Sequence, residues 1–278
     1  MNLKTSENQE LTALRQGCGI IAAALAIGEL VDRMLARYLA AAHLSSISII
    51  LIGAAVRCAL ILGLCLLSHK TANIRPMLVF PQKKQAFLAV EAYFALLGAA
   101  IAINSAISAL LKSTVEYPAI SAQYLVRVLL ISPAVETLVF MLLPQAVIYK
   151  FSSPAASSLF CAVCFALAHN APAAPGALIL GTVLCAACRV SAPLCFALHS
   201  LHNLLTLLWY YCLSHGYVAA YIAAVLALSL LSIHSLRRHG THFRNTIVLD
   251  RHVLSAMFWQ LPFAMLCAVC AARYGGVL

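Results

Sequence analysis

Charged side chains are scarce in this chain. Only 9% of the 278 residues are Asp, Glu, Lys or Arg, whereas about a quarter of a soluble domain is charged. Hydrophobic residues make up 63% of the sequence, compared with about half in a soluble domain. This composition excludes an ordinary soluble globular protein, a disordered chain and a fibrous one. It indicates a protein that crosses a lipid bilayer several times.

Acidic residues are the rarest charged type. Eight Asp and Glu stand against eighteen Lys and Arg, which gives a net charge of +10. In a soluble protein such a surplus would suggest nucleic-acid binding. Here the basic residues lie mainly between apolar stretches, as membrane topology requires. We therefore expect the lipid bilayer as a partner, and no nucleic acid.

Apolar stretches long enough for membrane helices follow a polar N-terminal tail, residues 1–16. They predict an all-α fold, a polytopic transmembrane helix bundle with about eight or nine membrane helices. The count is open because the first stretch carries several charges and the fifth and sixth are short. The candidate spans are 17–40, 44–67, 86–111, 120–149, 155–170, 172–188, 191–213, 216–236 and 253–272.

Two basic loops, 70–84 and 237–251, give the orientation. The positive-inside rule places both in the cytoplasm, with the N-terminus on the same side. Counting spans from them puts His169 near the non-cytoplasmic end of its helix. We expect a multi-pass protein of a bacterial inner membrane, because no organelle address is apparent.

Cysteine is plentiful, with eleven residues and three pairs at CxxC spacing. Each pair lies in an apolar helix with alanine or valine between its members. Cysteine packs there as a small hydrophobic residue. Metal binding or disulfide formation is the alternative.

Ionisable groups inside a bilayer are costly and usually mark function. Glu136 lies near the middle of the fourth span, with no basic residue within one helical turn. It must be protonated or paired with a group from another helix. Glu29 and Asp32 have Arg33 and Arg37 nearby as partners, whereas Glu91 lies near a helix start, where it can reach the interface or the positive end of the helix dipole.

Histidine and asparagine supply candidate partners for Glu136. His169 ends the fifth span, and His199 and Asn203, four residues apart in the seventh, share one helix face. One carboxylate, two imidazoles and an amide would then meet inside the bundle. Alternatively, each is a separate hydrogen-bonding contact between helices. The remaining histidines, including His202, are interpreted as solvated or interfacial.

These residues resemble the motifs of the CAAX-protease and bacteriocin-processing family of intramembrane proteases, often called the CPBP or Abi family. Its second motif is phenylalanine and histidine four residues apart, as in Phe165 and His169. Its third is histidine with asparagine four residues later, as in His199 and Asn203. The resemblance implies a protease core of four helices over 117–213. It leaves 17–116 and 214–278 as N- and C-terminal membrane helices without a motif.

The family's first motif is matched only in part. It has a proline, two adjacent glutamates, three further residues and an arginine. Pro133 and Glu136 are retained, but Thr137 replaces the second glutamate and Met141 replaces the arginine. The retained glutamate is the one that the resemblance implies for catalysis. The missing pair is either a structural ion pair exchanged for neutral residues or the mark of an inactive member.

The resemblance implies hydrolysis of a peptide bond near the membrane-embedded or lipidated end of a protein or peptide. Glu136 would be the general base, His169 would orient the water or help to protonate the leaving amine, and His199 with Asn203 would hold the oxyanion. No cofactor is expected, because the HExxH spacing of zinc proteases is absent. The alternative is Zn²⁺ held by Glu136, His169 and His199 with water in the fourth position.

Two other classes remain open. A catalytically inactive relative would act in immunity, as a scaffold or in regulation. A proton-coupled transporter would use Glu136 as a relay, but it predicts an inverted repeat that the sequence lacks. The prenyl-processing members of the family are expected to open to the cytosol, which conflicts with the position inferred for His169.

Overall fold

The structure, a computed structural model, describes residues 3–41, 45–67, 75–112, 120–148, 151–239 and 251–274. Within these ranges the regular elements are all helical, which confirms the predicted all-α bundle. The helices are α1 Leu3–Ala41, α2 Ser46–Leu67, α3 Lys83–Leu110, α4 Ala122–Ile148, α5 Pro154–Leu167, α6 Ala174–Val190, α7 Ala192–Ser214, α8 Val218–His239, α9 Arg251–Phe258 and α10 Leu261–Tyr274, with a 3-10 turn at Arg75–Met77.

Each of the nine predicted stretches corresponds to a helix, and the last is broken into α9 and α10. Five helices of the described chain, α2, α3, α4, α7 and α8, are long and apolar enough to cross a membrane. A sixth span results if α9 and α10, bent by 61°, are counted together. Because α5 and α6 have only 14 and 17 residues, the count of eight or nine stays a prediction.

The N-terminal tail is not a separate segment. Helix α1 begins at Leu3 and runs for 39 residues, a length of roughly 58 Å at 1.5 Å per residue. This is about twice the thickness of the hydrocarbon core, so part of α1 extends beyond it. Residues 1–2 and most of the basic loop, 240–250, lie outside the described residues.

Small residues let the central helices approach closely. A Cβ atom on Gly181 of α6 would lie 3.1 Å from the Phe165 ring of α5. The pairs Cys161/Cys164 and Cys185/Cys188 are buried. All eleven cysteines are free thiols, and no group of three potential metal ligands is found in the described ranges. Packing as the role of cysteine stays a prediction.

Helix α4 is widened twice along its length. Its backbone is π-helical at Arg127–Ile131 and Thr137–Leu142, and the short α-helical piece Ser132–Glu136 lies between. The Ser132 N–H donates to the Arg127 carbonyl, five residues back. Such π-helical stretches occur often at functional sites. Here they flank the segment that ends at Glu136.

Candidate active site

Glu136 of α4 is paired with His199 of α7. The His199 Nε2 atom lies 3.3 Å from the Glu136 Oε2 atom, and the two side chains are 2% and 29% exposed. Ser191 caps the N-terminus of α7 by accepting from the Leu194 N–H, which fixes where the helix begins. The pairing of Glu136 with another helix is thus present in the structure.

The second nitrogen of His199 is unsatisfied. Since a carboxylate accepts hydrogen bonds, Nε2 is the donor to Glu136. The Nδ1 atom is buried and has no hydrogen-bond partner among the described residues. Buried polar atoms nearly always have a partner. The imidazole is therefore able to bind one further polar group, such as a water molecule.

His169 directly follows α5 and is oriented by its own backbone. Its Nδ1 atom lies 2.8 Å from the Phe165 carbonyl oxygen. A carbonyl only accepts, so the proton is on Nδ1 and Nε2 is an acceptor in the neutral ring. The Phe165 ring packs edge-on to both histidines, with centroids 4.4 Å from His169 and 5.5 Å from His199. Phe165 thus fixes the spacing of the two imidazoles.

Two cavities flank these residues. Glu136 and His169 line a cavity of about 790 Å³. His169 also lines a second cavity, of about 690 Å³, together with His199 and Asn203. All four candidate residues therefore border cavities large enough for substrate groups, and His169 lines both of them.

Asn203 contacts the backbone of α4. Its Nδ2 atom donates to the Val128 carbonyl at 2.8 Å. In the π-helical register this carbonyl would accept from residue 133, which is Pro133 and has no N–H. The Asn203 amide therefore replaces a backbone hydrogen bond that proline removes, and it ties α7 to α4. Its predicted role at the oxyanion remains untested.

The two positions that depart from the first motif form a neutral cluster around Cys195 of α7. The Thr137 Oγ1 atom lies 3.9 Å from the Cys195 Sγ atom, which lies 3.3 Å from the Met141 Sδ atom. Thr137 and Met141 are 5% and 0% exposed. The two substituted positions thus face a thiol, and the cluster contains no charged member.

His202, interpreted from the sequence as solvated or interfacial, is half-buried and hydrogen-bonded to another helix. Its Nδ1 atom lies 3.1 Å from the hydroxyl of Tyr93, a fully buried residue of α3. The position of His202 within one turn of His199 is a signal that the sequence did contain. Glu91 is likewise buried rather than interfacial, at 5% exposure.

A cluster of four charged residues borders the larger cavity. Arg33 pairs with Glu29 at 3.2 Å, as expected from the sequence. Arg57 of α2, which the sequence interpretation did not include, pairs with Glu29 at 3.1 Å and also with Asp32. The signal was that Arg57 is the single charged residue in Ser46–Leu67. The side chain of Arg37 lies outside the described residues.

The structure describes the contacts of the two histidines named in the zinc alternative. His199 turns Nε2 towards Glu136, and His169 uses Nδ1 on a carbonyl. No three His, Cys, Asp or Glu side chains within the described ranges are grouped to hold a metal ion. A metal-ligating histidine commonly donates its other ring N–H to a carbonyl, so zinc at Glu136, His169 and His199 stays an untested alternative.

The fold is that of a helical multi-pass membrane protein with a carboxylate–imidazole pair inside the bundle. Residues 118–205 match the profile of the family described as type II CAAX prenyl endopeptidase, Rce1-like. The resemblance to the CPBP family is thereby confirmed for this segment, which includes helices α4, α5 and α6, the first part of α7 and all four candidate residues. No curated protein and no solved structure matches the chain.

Proposed function

We propose that the protein is an intramembrane endopeptidase that cleaves near the membrane-embedded or lipidated end of a protein or peptide. The observation that carries the proposal is the Glu136–His199 pair, held at 3.3 Å between two apolar helices. The Glu136 carboxylate faces a cavity that His169 also lines. The match to CAAX endopeptidases over residues 118–205 supports peptide hydrolysis as the reaction.

In the proposed mechanism Glu136 is the general base. Its carboxylate takes a proton from a water molecule in the cavity, and the water oxygen attacks the scissile carbonyl carbon. The Nε2 atom of His169, an acceptor in this tautomer, orients the same water. The proton then passes to the leaving nitrogen as the C–N bond breaks. His199 holds the carboxylate in place, and Asn203 holds α7 against α4.

Activity is compatible with the altered first motif. A buried ion pair can be replaced by neutral residues at little cost when both partners change together. Thr137 and Met141 have both changed, and both face Cys195. Glu136 meanwhile keeps its partner His199. This supports retention of the catalytic pair without the neighbouring ion pair.

The lining of the smaller cavity supports an apolar substrate. Apolar residues of α3, α6 and α7 contribute to its wall, among them Leu97, Ile101, Leu180, Leu184 and Trp209. A lipid chain or an apolar peptide segment would bury its surface there. We accordingly propose a membrane-embedded or lipidated substrate, no cofactor, and a bacterial inner membrane as the location.

The test compares the termini of membrane proteins by mass spectrometry. Cells with the native chain are set against cells with Glu136→Gln, which keeps the shape of the side chain but removes the base. We expect a set of new termini in native cells that vanishes with Glu136→Gln at equal protein abundance. The matched control is Glu10→Gln on an exposed part of α1, which should keep every terminus.

A catalytically inactive family member is the second candidate. The replacement of two motif positions by Thr137 and Met141 favours it. It predicts that native, Glu136→Gln and Glu10→Gln cells have the same termini, with all three proteins folded. That result would contradict the proposed protease.

A further inference from the structure

Ser132 is a cavity-lining residue of α4 that the matched motifs do not include. It lies four residues before Glu136, and the α-helical piece Ser132–Glu136 contains both. At this spacing two side chains share one helix face, with Cβ atoms about 5–6 Å apart. Ser132, Glu136 and His169 all line the cavity of about 790 Å³. The Ser132 hydroxyl is therefore within reach of a water molecule that contacts Glu136.

The Ser132 hydroxyl is not engaged by the backbone. A serine inside a helix can donate to the carbonyl four residues back, as Ser157 does to Ser153. For Ser132 that carbonyl is Val128, which accepts from the Asn203 amide at 2.8 Å. Within the described residues the Ser132 hydroxyl has no hydrogen bond to the protein. Because polar groups in an apolar setting nearly always have a partner, this hydroxyl is left to bind a molecule in the cavity.

The hydrolytic water needs a hydrogen-bond donor of this kind. A bound water molecule typically makes about three hydrogen bonds. In the proposed mechanism its two protons face Glu136 and the Nε2 atom of His169, which are both acceptors. One lone pair of the water oxygen attacks the carbonyl carbon, so the other is left to accept a hydrogen bond. A hydroxyl on the same face of α4 as Glu136 supplies that third contact.

We propose that the Ser132 hydroxyl donates a hydrogen bond to the hydrolytic water and so directs the attacking lone pair towards the scissile carbonyl. The hydroxyl itself neither gains nor loses a proton when Glu136 takes the proton of the water. This inference rests on the proposed function, because it needs a water molecule under activation by Glu136. It adds a catalytic residue to the cavity in which the general base lies.

The first test measures cleavage by the full chain in liposomes, with an internally quenched, farnesylated CAAX peptide as the probe. Ser132→Ala should lower kcat about tenfold, the effect of one lost hydrogen bond, with KM nearly unchanged because the peptide keeps its contacts. Ser132→Thr keeps a hydroxyl and should retain most of kcat. The matched control is Ser200→Ala, because the Ser200 hydroxyl of α7 also lacks a partner among the described residues but lines neither cavity.

The second test determines whether the side chain at position 132 faces water, without any reference to activity. Ser132→Cys should react with a charged, water-soluble methanethiosulfonate, because this reagent modifies thiols that water reaches. Ser200→Cys is the matched control and should stay unmodified in the same liposomes. The native chain, whose eleven cysteines are free thiols, gives the background. Mass spectrometry of the intact protein counts the added groups.

The outcomes separate this inference from the proposed function. Cleavage that Glu136→Gln abolishes but Ser132→Ala does not affect would overturn the role of Ser132 alone. An unmodified Ser132→Cys chain would overturn it as well, and so would a loss of kcat in Ser132→Thr or Ser200→Ala that equals the loss in Ser132→Ala. Cleavage that is indifferent to Glu136→Gln, or no cleavage by the native chain, would overturn the proposed function and the role of Ser132 with it.

Discussion

At the scale of the residue, the neutral cluster around Cys195 determines which substitutions of Thr137 and Met141 the protein tolerates. Thr137→Glu alone would place a carboxylate at a position that is 5% exposed and faces a thiol. We expect it to lower the free energy of unfolding by about 3–5 kcal/mol, the cost of an uncompensated buried charge. Reversible unfolding in mixed detergent micelles, followed by circular dichroism, measures this.

The partner substitution makes the prediction specific. Met141→Arg should be similarly destabilising alone, but Thr137→Glu with Met141→Arg should recover much of the loss because the two charges pair. Thr12→Glu on exposed α1 controls for adding a carboxylate. Strictly additive losses in the double variant would contradict the idea that the two positions act as one pair.

The residue scale also shows what sequence could predict of the site. A buried carboxylate in an apolar helix needs a partner, and histidine was the residue available to Glu136. The contact of Glu136 with His199 could be predicted in this way. The contact between Tyr93 and His202 could not be predicted from the sequence, because it depends on the rotation of α3 against α7. Local spacing within either helix contains no information about that rotation.

At the scale of the element, α4 depends on α7 for one of its backbone hydrogen bonds. Asn203→Leu should cost about 1–3 kcal/mol, since it leaves the Val128 carbonyl without a donor in an apolar setting. Asn203→Leu should lower the free energy of unfolding far less in the Pro133→Ala background, because the alanine N–H restores a backbone donor. The free energy of unfolding of the four variants gives the coupling directly.

A control checks that the effect is local to this hydrogen bond. Pro172→Ala in the turn before α6 removes a proline without affecting α4, and Asn203→Leu should keep its full cost in that background. An equal cost in the Pro133→Ala background would show that Asn203 contributes through packing rather than through the missing N–H.

Helix positions were the easiest elements to predict, and helix irregularities the hardest. The predicted span 44–67 became Ser46–Leu67, because an unbroken apolar run permits little else. The π-helical stretch Thr137–Leu142 has no comparable signal, since contacts with neighbouring helices determine its register. The π-helical stretch before Pro133, Arg127–Ile131, does have a cause that is visible in the sequence, because proline has no N–H to donate.

At the scale of the whole molecule, helices outside the matched segment complete the site. Arg57 of α2, paired with Glu29 and Asp32 of α1, borders the same cavity as Glu136. Gly53 of α2 makes this possible, because a Cβ atom there would lie 2.7 Å from the Asp32 carboxylate. The motif residues supply the reacting groups, whereas α1 and α2, outside the matched segment, supply part of the cavity wall.

The packing of α3 against α8 shows that the basic ends of the two helices lie on the same side of the molecule. Ser229 bonds to Phe94 and Gly98, whereas Tyr221, earlier in α8, borders a cavity with Ile101, later in α3. The two helices are therefore antiparallel, and the basic ends at Lys83 and Arg238 lie on one side. The Gly176 N–H bonds to Asn104 near the opposite end of α3, so the turn that carries His169 lies on the other side.

This arrangement predicts the side of the membrane on which the site opens. By the positive-inside rule, the end with Lys83 and Arg238 is cytoplasmic. Alkaline phosphatase fused after Arg238 should then be inactive in a bacterial host, and the same reporter fused after Ala173 should be active. Green fluorescent protein at the two positions should give the reciprocal pattern, which controls for expression. Active phosphatase after Arg238 would invert the topology and place the His169 turn in the cytosol, where prenylated protein tails are found.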